Sequence, residues 1–367
     1  MSDQKLNFLI LDGISGVPLG LEIAEALEEL GHTSIHFDCL KQRTRTFYGL
    51  RSALSKALDR HAHRDGFYCL PRLDESALAT LIARSQPDVI LVIGFIYKFF
   101  SPTVLRRLAD RQGTHLLLYD TDSCNLYSRR REFIFFIEQE LPVYDRIFSF
   151  SKVTTRFFKD TRGLDAVHLP FGAKPIPTNE GPKTHEVLFV GSGDLRRIFL
   201  LEAIRDHITV RGNRWERNAP LISAPLNARI DDRPVWGKEL HSLLVSAKIV
   251  LNITRTDFYG AETGVNLRIF EALAAGCFLL TDHCPEIAEL FSVGEELETF
   301  RSSDEFADKV RYYLAHDEER ERIARTGALA FNKKHTWKTR LSDGLMHIHS
   351  SPGVGANLAA PSANRIT

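Results

Sequence analysis

Residues 252–282, NITRTDFYGAETGVNLRIFEALAAGCFLLTD, contain a strand end, a glycine-containing loop, a helix and a second strand. The first strand ends near Asn252, and the loop through Gly264 leads into the helix. Arg268 and Glu271 lie three residues apart on that helix and therefore share one face. This order predicts a parallel sheet, whose ligands bind where strands end and helices begin.

The same order of strand, glycine-containing turn and helix occurs earlier in the chain. HEVLFVGSG, from residue 185, is typical of a buried strand that ends in a Gly-Ser-Gly turn, and an amphipathic helix follows from residue 194. The free N–H groups at a helix N-terminus suit phosphate, and arginines there neutralise its charge. Gly191 to Gly193 with Arg196 or Arg197 are therefore candidates for phosphate binding; a plain tight turn is the alternative.

The N-terminal half repeats this alternation. LNFLILD (residues 6–12) is typical of a strand, a glycine-rich turn follows, and apolar residues then recur at helical spacing up to Gly31. The segment LPFGAKPIPTNEGPK (residues 169–183) interrupts the pattern with four prolines. We therefore predict an α/β protein with two facing Rossmann-like domains, each built on a parallel sheet.

The predicted divisions are an N-terminal acceptor domain, a linker, a C-terminal donor domain, a C-terminal helix that packs back across the junction, and a disordered tail. Their predicted limits are 1–170, 171–184, 185–335, 336–350 and 351–367.

Composition narrows the class of protein. Lys plus Arg and Asp plus Glu both number 47, so the formal net charge is zero. A protein that follows a phosphate backbone usually carries a basic excess. The segment from Lys41 to Arg64 is locally basic, which predicts either a solvated helix face or contact with an anionic acceptor. The five cysteines are scattered, which argues against a disulfide framework or a structural zinc site.

The start of the chain is not typical of a signal peptide, and no uncharged apolar run reaches transmembrane length. A cytoplasmic protein without a membrane span is expected.

The segment from Gly264 onward, GVNLRIFEALAAGCFLLTDHCPEIAELFSVGEELETF, resembles the C-terminal domain of CgeB-like glycosyltransferases. These are relatives of the nucleotide-sugar glycosyltransferases with the GT-B fold, and the resemblance extends over residues 186–340. It implies that Glu271 holds the donor ribose and that Arg268 lies near the diphosphate. The predicted donor-binding residues are Gly191, Ser192, Gly193, Arg196, Arg214, Thr254, Arg255, Gly264, Asn266, Arg268 and Glu271.

One position departs from this pattern. Many retaining relatives have a second Glu eight residues before the ribose Glu, where this chain has Thr263, with Glu262 next to it. Trp215 is a further candidate, because its ring could stack on a base, although a core position suits it equally.

Acidic residues that follow predicted strands of the N-terminal half are candidates for the acceptor side. Asp122 is a candidate for orienting or deprotonating an acceptor hydroxyl, and we assign it a catalytic role together with Arg268. The full acceptor-side set is Asp12, Gly16, Asp120 and Asp122. Asp-x-Asp also resembles the metal motif of another glycosyltransferase fold, but arginines and helix N-termini replace a cation here, so no metal and no cofactor are expected.

The predicted function is metal-independent transfer of a sugar from a UDP-, dTDP- or GDP-sugar to an acceptor hydroxyl, with retained stereochemistry. The acceptor is open: a glycan, a protein, a small metabolite or modified nucleic acid. A two-domain nucleotide-sugar epimerase and a non-catalytic nucleotide-sugar-binding protein are the alternatives.

Overall fold

The computed structural model of the 367-residue chain describes residues 5–14, 16–58, 67–123, 129–176, 181–263 and 265–349. Side chains are described up to residue 345. The predicted disordered tail (351–367), Gly264 and residues 177–180 of the predicted linker lie outside these ranges.

The N-terminal half is a six-stranded parallel sheet in the order β2-β1-β3-β4-β5-β6. Its strands are β1 (Asn7–Asp12), β2 (Thr33–Asp38), β3 (Val89–Ile93), β4 (His115–Asp120), β5 (Arg146–Ser149) and β6 (Ala166–His168). The helices that lie between these strands are α1 (Leu19–Glu29), α2 (Tyr48–Leu58), α3 (Glu75–Ser85), α4 (Pro102–Gln112), α5 (Arg130–Phe135) and α6 (Lys152–Arg156).

The C-terminal half is a second six-stranded parallel sheet in the order β12-β11-β10-β7-β8-β9. Its strands are β7 (His185–Val190), β8 (Ile208–Arg211), β9 (Ile230–Asp231), β10 (Ala247–Asn252), β11 (Leu279–Asp282) and β12 (Glu298–Phe300). Its helices are α7 (Leu195–Glu202), α8 (Ala224–Asn227), α9 (Gly237–Val245), α10 (Thr256–Gly260), α11 (Leu267–Ala274), α12 (Pro285–Leu290), α13 (Ser303–Ala315), α14 (Asp317–Lys334) and α15 (Trp337–His349).

The central strands explain why both sheets are parallel and why helices pack on both of their faces. All of β3, VILVI, is buried, as is the last part of β7. Strands that are apolar on both faces need helices on both sides, and the connections through helices make neighbouring strands parallel. The two predicted parallel sheets are confirmed. β6 ends at His168 and β7 begins at His185, while the predicted domain limits remain predictions.

The last helix, α15, returns to the N-terminal half, as predicted. Trp337 is buried, its ring packs edge-on against Tyr119, and its indole N–H donates to Glu22 of α1 at 3.0 Å. Arg340 donates to the carbonyl of Phe171 at 3.3 Å. The helix that follows the second sheet therefore completes the core of the first.

The two halves also touch directly. The imidazole Nε2 of His168 lies 2.7 Å from Glu286 on α12, and the rings of Phe150 and Phe258 pack with centroids 6.1 Å apart. These contacts bring the carboxyl ends of the two sheets face to face, which is where ligands of parallel α/β sheets bind.

Candidate functional site

A cleft of about 430 Å³ lies between the carboxyl ends of the two sheets. Ile14, Thr121 and Asp122 line it from the N-terminal half. Many of the predicted donor residues line it from the opposite half: Gly191, Ser192, Arg214, Thr254, Arg255, Asn266, Arg268 and Glu271. The fold thus brings residues from distant parts of the sequence to one site of ligand-binding size.

Helix α11 places Arg268 and Glu271 on its cleft-facing side. Asn266 caps this helix, since its Oδ1 accepts from the N–H of Arg268 at 3.0 Å. Nη1 of Arg268 lies 2.7 Å from Oε2 of Glu271. Burial raises the pKa of the Glu271 carboxyl, and the charge of Arg268 opposes that shift. The predicted pair therefore exists, and it is largely desolvated.

Several polar atoms at the cleft are buried without a partner. Among the described residues, no hydrogen-bond acceptor is placed for Nε of Arg268, and the hydroxyls of Thr121 and Thr254 have no hydrogen bond. A buried polar group without a partner costs about 1–3 kcal/mol. All three side chains line the cleft, so a polar ligand there would satisfy groups that the protein leaves unmatched.

Positive charge is concentrated on the same surface. Partial burial and the charge of Arg255 lower the pKa of Arg214, whereas Asp122 raises it. Both arginines line the cleft together with Arg268. Three cations that line one cleft favour the binding of an anion there. Guanidinium groups bind the oxygens of a diphosphate well.

The glycine-rich loop after β7 plays a different part from the one predicted. The N–H of Gly191 donates to the backbone carbonyl of Arg211 at 2.9 Å, and the N–H of Gly193 donates to the backbone carbonyl of Asn213 at 2.8 Å. A Cβ on Gly193 would lie 2.9 Å from the carbonyl oxygen of Arg214. Gly193 is thus needed for close packing of two loops, and neither glycine N–H is left for phosphate.

Of the two candidates Arg196 and Arg197, the structure places only Arg197 at the cleft, although Arg196 was the one among the predicted donor-binding residues. Arg196 pairs with Asp282, donates to the carbonyl of Thr254 at 3.0 Å and lies over the ring of Tyr259, so its contacts are within the protein. Arg197 lines the cleft, but it donates to the carbonyls of Ser192 and Ile253. Burial lowers the pKa of Arg197 to about 9. Both arginines hold the loops that form the site.

Asp120 is the last residue of β4 and Asp122 lies two residues beyond it; of these two predicted acidic residues, only Asp122 lines the cleft. Asp120 is buried and accepts hydrogen bonds from the hydroxyls of Ser123 and Ser149, at 2.8 and 2.9 Å. Burial raises the pKa of Asp120. Asp120 therefore fixes the shape of the loop that carries Asp122.

Asp12 and Gly16 likewise do not line the cleft but hold the loop beside it in place. Asp12 is buried, accepts from the N–H of Ile14 at 3.0 Å and contacts His36 at 3.0 Å. Gly16 has φ +78°, and a Cβ there would lie 2.7 Å from the ring of Trp236 in the other half. Asp12 shapes the first loop, and Gly16 allows it to approach the second sheet.

Part of this chain matches a known protein family. Residues 196–345 match the family model described as glycosyl transferase-like. No curated protein sequence matches the chain.

Solved structures align with nearly the whole chain. A glycosyltransferase from Rickettsia africae ESF-5 aligns with a TM-score of 0.59 at 11% identity, over 94% of this chain and 98% of that one. Anabaena Alr3699/HepE, in complex with UDP and glucose, gives 0.61 at 12% identity, over 94% and 100%. Sucrose-phosphate synthase from Thermosynechococcus elongatus gives 0.62 at 12%, over 94% and 98%.

The chain has the GT-B fold. The predicted fold class is confirmed, while the narrower CgeB-like grouping remains a prediction.

Two positions singled out in the sequence lie away from the cleft of this GT-B fold. Trp215 is a core residue: it is buried, and its indole N–H donates to the carbonyl of Gly191 at 3.0 Å, so its ring is not available to a base. Thr263 is also buried, and its hydroxyl donates to the carbonyl of Phe258 at 3.2 Å. Glu262 beside it is exposed and has φ +56°.

The cleft also contains residues that sequence reasoning missed. Trp236 and Phe258 line it. Trp236 follows the loop DDRPV, which has no strand or helix periodicity from which a cleft position could be predicted. Phe258 lies in the short helix α10, within a segment that the sequence predicts to be a glycine-containing loop. Among the described residues, no group of three or more His, Cys, Asp or Glu side chains is arranged to hold a metal ion.

Proposed function

We propose that this protein is a glycosyltransferase that transfers a sugar from a nucleotide-diphospho-sugar to an acceptor hydroxyl. The observation that carries the proposal is the half-buried Arg268–Glu271 pair at the start of α11, with the unpartnered Nε of Arg268 in the cleft. The matching glycosyl transferase-like family model covers this helix and supports the proposal.

Glu271 is the proposed ribose ligand. A carboxylate accepts two hydrogen bonds side by side, which suits the neighbouring 2′- and 3′-hydroxyls of a ribose. Desolvation of Glu271 strengthens such bonds, because water does not compete for the carboxylate oxygens. The ion pair with Arg268 favours the charged, accepting form.

Arg268 is the proposed catalytic cation. In glycosyl transfer the bond from the anomeric carbon to the diphosphate breaks, and negative charge grows on the departing phosphate oxygen. Fixed cations next to that oxygen stabilise the transition state more than the ground state. Arg214 and Arg255 line the same cleft and would share this charge.

Asp122 is the proposed acceptor-side residue. It lies on the opposite wall from Arg268 in the same cleft. From there its carboxylate can orient an acceptor hydroxyl and take its proton as the new glycosidic bond forms. The unpartnered hydroxyl of Thr121 is a second candidate for contact with the acceptor.

A uridine nucleotide is the first choice of donor, because Anabaena Alr3699/HepE was solved with UDP and with UDP-glucose. GDP- and dTDP-sugars are the alternatives. We further propose that transfer needs no metal ion, since arginines supply positive charge in the cleft, and that stereochemistry is retained.

The test is calorimetric titration of UDP, GDP, dTDP, CMP and ADP into wild-type protein, with and without EDTA, repeated on Glu271→Gln. Wild type should bind one nucleoside diphosphate, and binding should survive EDTA. Glu271→Gln keeps the shape but loses the charge, so affinity should fall about tenfold or more. At 100 times its dissociation constant, the ligand should stabilise wild type by about 2.7 kcal/mol.

Glu298→Gln is the matched control. Glu298 is also buried in the C-terminal half and pairs with Lys309 at 3.1 Å, but it does not line the cleft. Its variant should bind nucleotide like wild type. If no nucleotide binds wild type, or if both variants lose affinity equally, the proposed donor site is wrong.

One observation favours a second candidate, a nucleotide-sugar-binding protein without transferase activity. Thr263 replaces the expected sugar-contacting Glu, and its hydroxyl is bonded within its own loop. Chromatography of a UDP-sugar after incubation separates the cases. Release of UDP supports transfer, a changed sugar without UDP release supports an epimerase, and an unchanged nucleotide-sugar supports binding alone.

A further inference from the structure

Helix α2 is attached to the protein by its polar side. The hydroxyl of Tyr48 donates to the carbonyl of Leu70 at 2.8 Å, and the hydroxyl of Tyr68 donates to Ser55. Within this fully described helix no side chain is buried. Amphipathic helices of globular proteins turn their apolar stripe toward the core, so α2 has the opposite orientation.

The apolar stripe of α2 faces solvent. Phe47, Leu50, Leu54 and Leu58 recur at helical spacing, and their exposed fractions are 77%, 72%, 61% and 72%. These four side chains are named the α2 patch. Single exposed apolar residues are ordinary, but a contiguous exposed stripe marks an interaction surface.

The surroundings of the α2 patch are basic. Residues 39–58 contain five Lys or Arg and no Asp or Glu. Lys41 and Arg45 contact acidic side chains outside this segment, whereas Arg43 and Arg51 are exposed to solvent. At about 100° per residue Arg51 borders the apolar stripe next to Leu58, and Arg43 lies in the segment that leads into the helix. An apolar stripe with basic neighbours is complementary to a surface whose interior is apolar and whose outer layer carries negative charge.

We propose that the α2 patch docks on the surface of a lipid bilayer that contains anionic lipid. The leucines enter the boundary between headgroups and acyl chains, and the neighbouring cations contact lipid phosphates. None of the described helices has the length and apolarity of a membrane span, so this contact is peripheral. It does not depend on the proposed glycosyl transfer.

The position of α2 determines which edge of the N-terminal sheet would lie nearest the bilayer. The helix follows β2, and the N–H of Arg45 just before it donates to the carbonyl of Arg72 at 2.8 Å. The backbone N–H of Arg72 in turn donates to the carbonyl of Lys98, a residue that follows β3. The α2 patch therefore extends from the carboxyl edge of the N-terminal sheet, the edge that also carries Asp122.

A second copy of this chain is the less favoured occupant. A symmetric dimer through the α2 patch would place the same surface on both sides of the interface. Arg43 and Arg51 of one copy would then lie close to those of the other. Like charges at an interface oppose association, whereas an anionic bilayer attracts the same residues.

Co-sedimentation of the full chain with vesicles tests the proposal. Wild type should pellet with phosphatidylcholine vesicles that contain phosphatidylglycerol and much less with phosphatidylcholine alone. The triple variant Leu50→Ser/Leu54→Ser/Leu58→Ser should bind at least about a hundredfold more weakly, because it loses three apolar side chains. Arg43→Glu/Arg51→Glu should bind about tenfold more weakly and lose the preference for anionic lipid.

Leu329→Ser and Lys333→Glu are the matched controls. Both positions are exposed on α14, far along the chain from α2, and neither variant should change vesicle binding. All variants should keep the wild-type melting temperature, because none of the changed side chains is buried. The proposal fails if wild type stays in the supernatant, or if the triple variant binds vesicles like wild type. It also fails if sedimentation equilibrium shows a wild-type dimer that the triple variant dissociates, since a second copy then covers the patch.

Discussion

Single side chains at this site differ in whether they face the cleft or hold it in shape. Asp122 lines the cleft, while Asp120, two residues earlier, accepts hydrogen bonds from Ser123 and Ser149. Both are acidic residues near the end of β4, yet only one is placed to meet a substrate. This difference can be measured.

Replacing Asp122 by Asn should lower turnover by about 10²–10⁴-fold, because an amide cannot take the acceptor proton. Release of UDP from a UDP-sugar, with water as the acceptor, measures this effect. The affinity for UDP should change little, since Asp122 lies on the acceptor side. Asp165→Asn, which alters an ion pair with Arg146 outside the cleft, should turn over like wild type. Equal turnover in Asp122→Asn and wild type would remove Asp122 from the mechanism.

Residue roles were the hardest part to predict from sequence, for a geometric reason. Arg196 and Arg197 are adjacent on α7, so their side chains point about 100° apart, and the sequence does not say which one faces the cleft. That Arg268 and Glu271 share one face near a helix start was predictable from their spacing, whereas their roles remain predictions. The cleft position of Trp236 was not predictable, because the loop before it shows neither strand nor helix periodicity.

At the scale of elements, the contact between α1 and α15 carries a buried charge. Burial raises the pKa of Glu22 to about 7, and the neighbouring Glu271 adds to the shift, while the hydrogen bond from Trp337 opposes it. The folded protein therefore binds a proton at Glu22 more tightly than the unfolded chain does.

Stability should consequently depend on pH at this contact. The contribution of Glu22 is fully present below its ordinary pKa of 4.5 and is lost as pH rises through about 7. Glu22→Gln mimics the protonated form, so above pH 7 it should be more stable than wild type by about 1–3 kcal/mol. The difference should disappear below pH 4.5. Urea unfolding across this range measures it, and Glu29→Gln, at an exposed position of α1, should track wild type. A constant difference at every pH would mean that Glu22 does not titrate.

The strands and helices themselves followed closely from the sequence. Continuous apolar runs such as LNFLILD and HEVLFV predicted buried parallel strands, which the structure has as β1 and β7. The orientation of α2 was not predictable, because the same leucine spacing would suit a helix packed on a core. Only its neighbours show that the polar side is the attached one.

At the scale of the whole molecule, the shape of the cleft depends on how the two halves meet. Gly16 in the N-terminal half lies against the ring of Trp236, and its φ of +78° suits glycine. An added methyl group there would push the first loop away from the second sheet.

Gly16→Ala should therefore lower kcat/KM for UDP-sugar hydrolysis by about ten- to a hundredfold, since small displacements of reacting groups are costly. Gly31→Ala is the control for backbone strain, because Gly31 has φ +92° but no neighbour within 4 Å of an added Cβ. It should lose a similar amount of stability and keep its kcat/KM. Adding Trp236→Ala to Gly16→Ala should recover part of the loss if the clash is its cause; no recovery would argue against that contact.

The return of α15 has a consequence for the synthesis of the protein. Trp337 and Leu341 cover an apolar surface formed by Phe8, Ile23 and Tyr119. The N-terminal sheet leaves the ribosome first, but this surface stays open until the last helix has emerged. The nascent chain must therefore carry an incomplete first core through the translation of the entire second half. A chaperone that binds exposed apolar segments has its longest opportunity on the half that is made first.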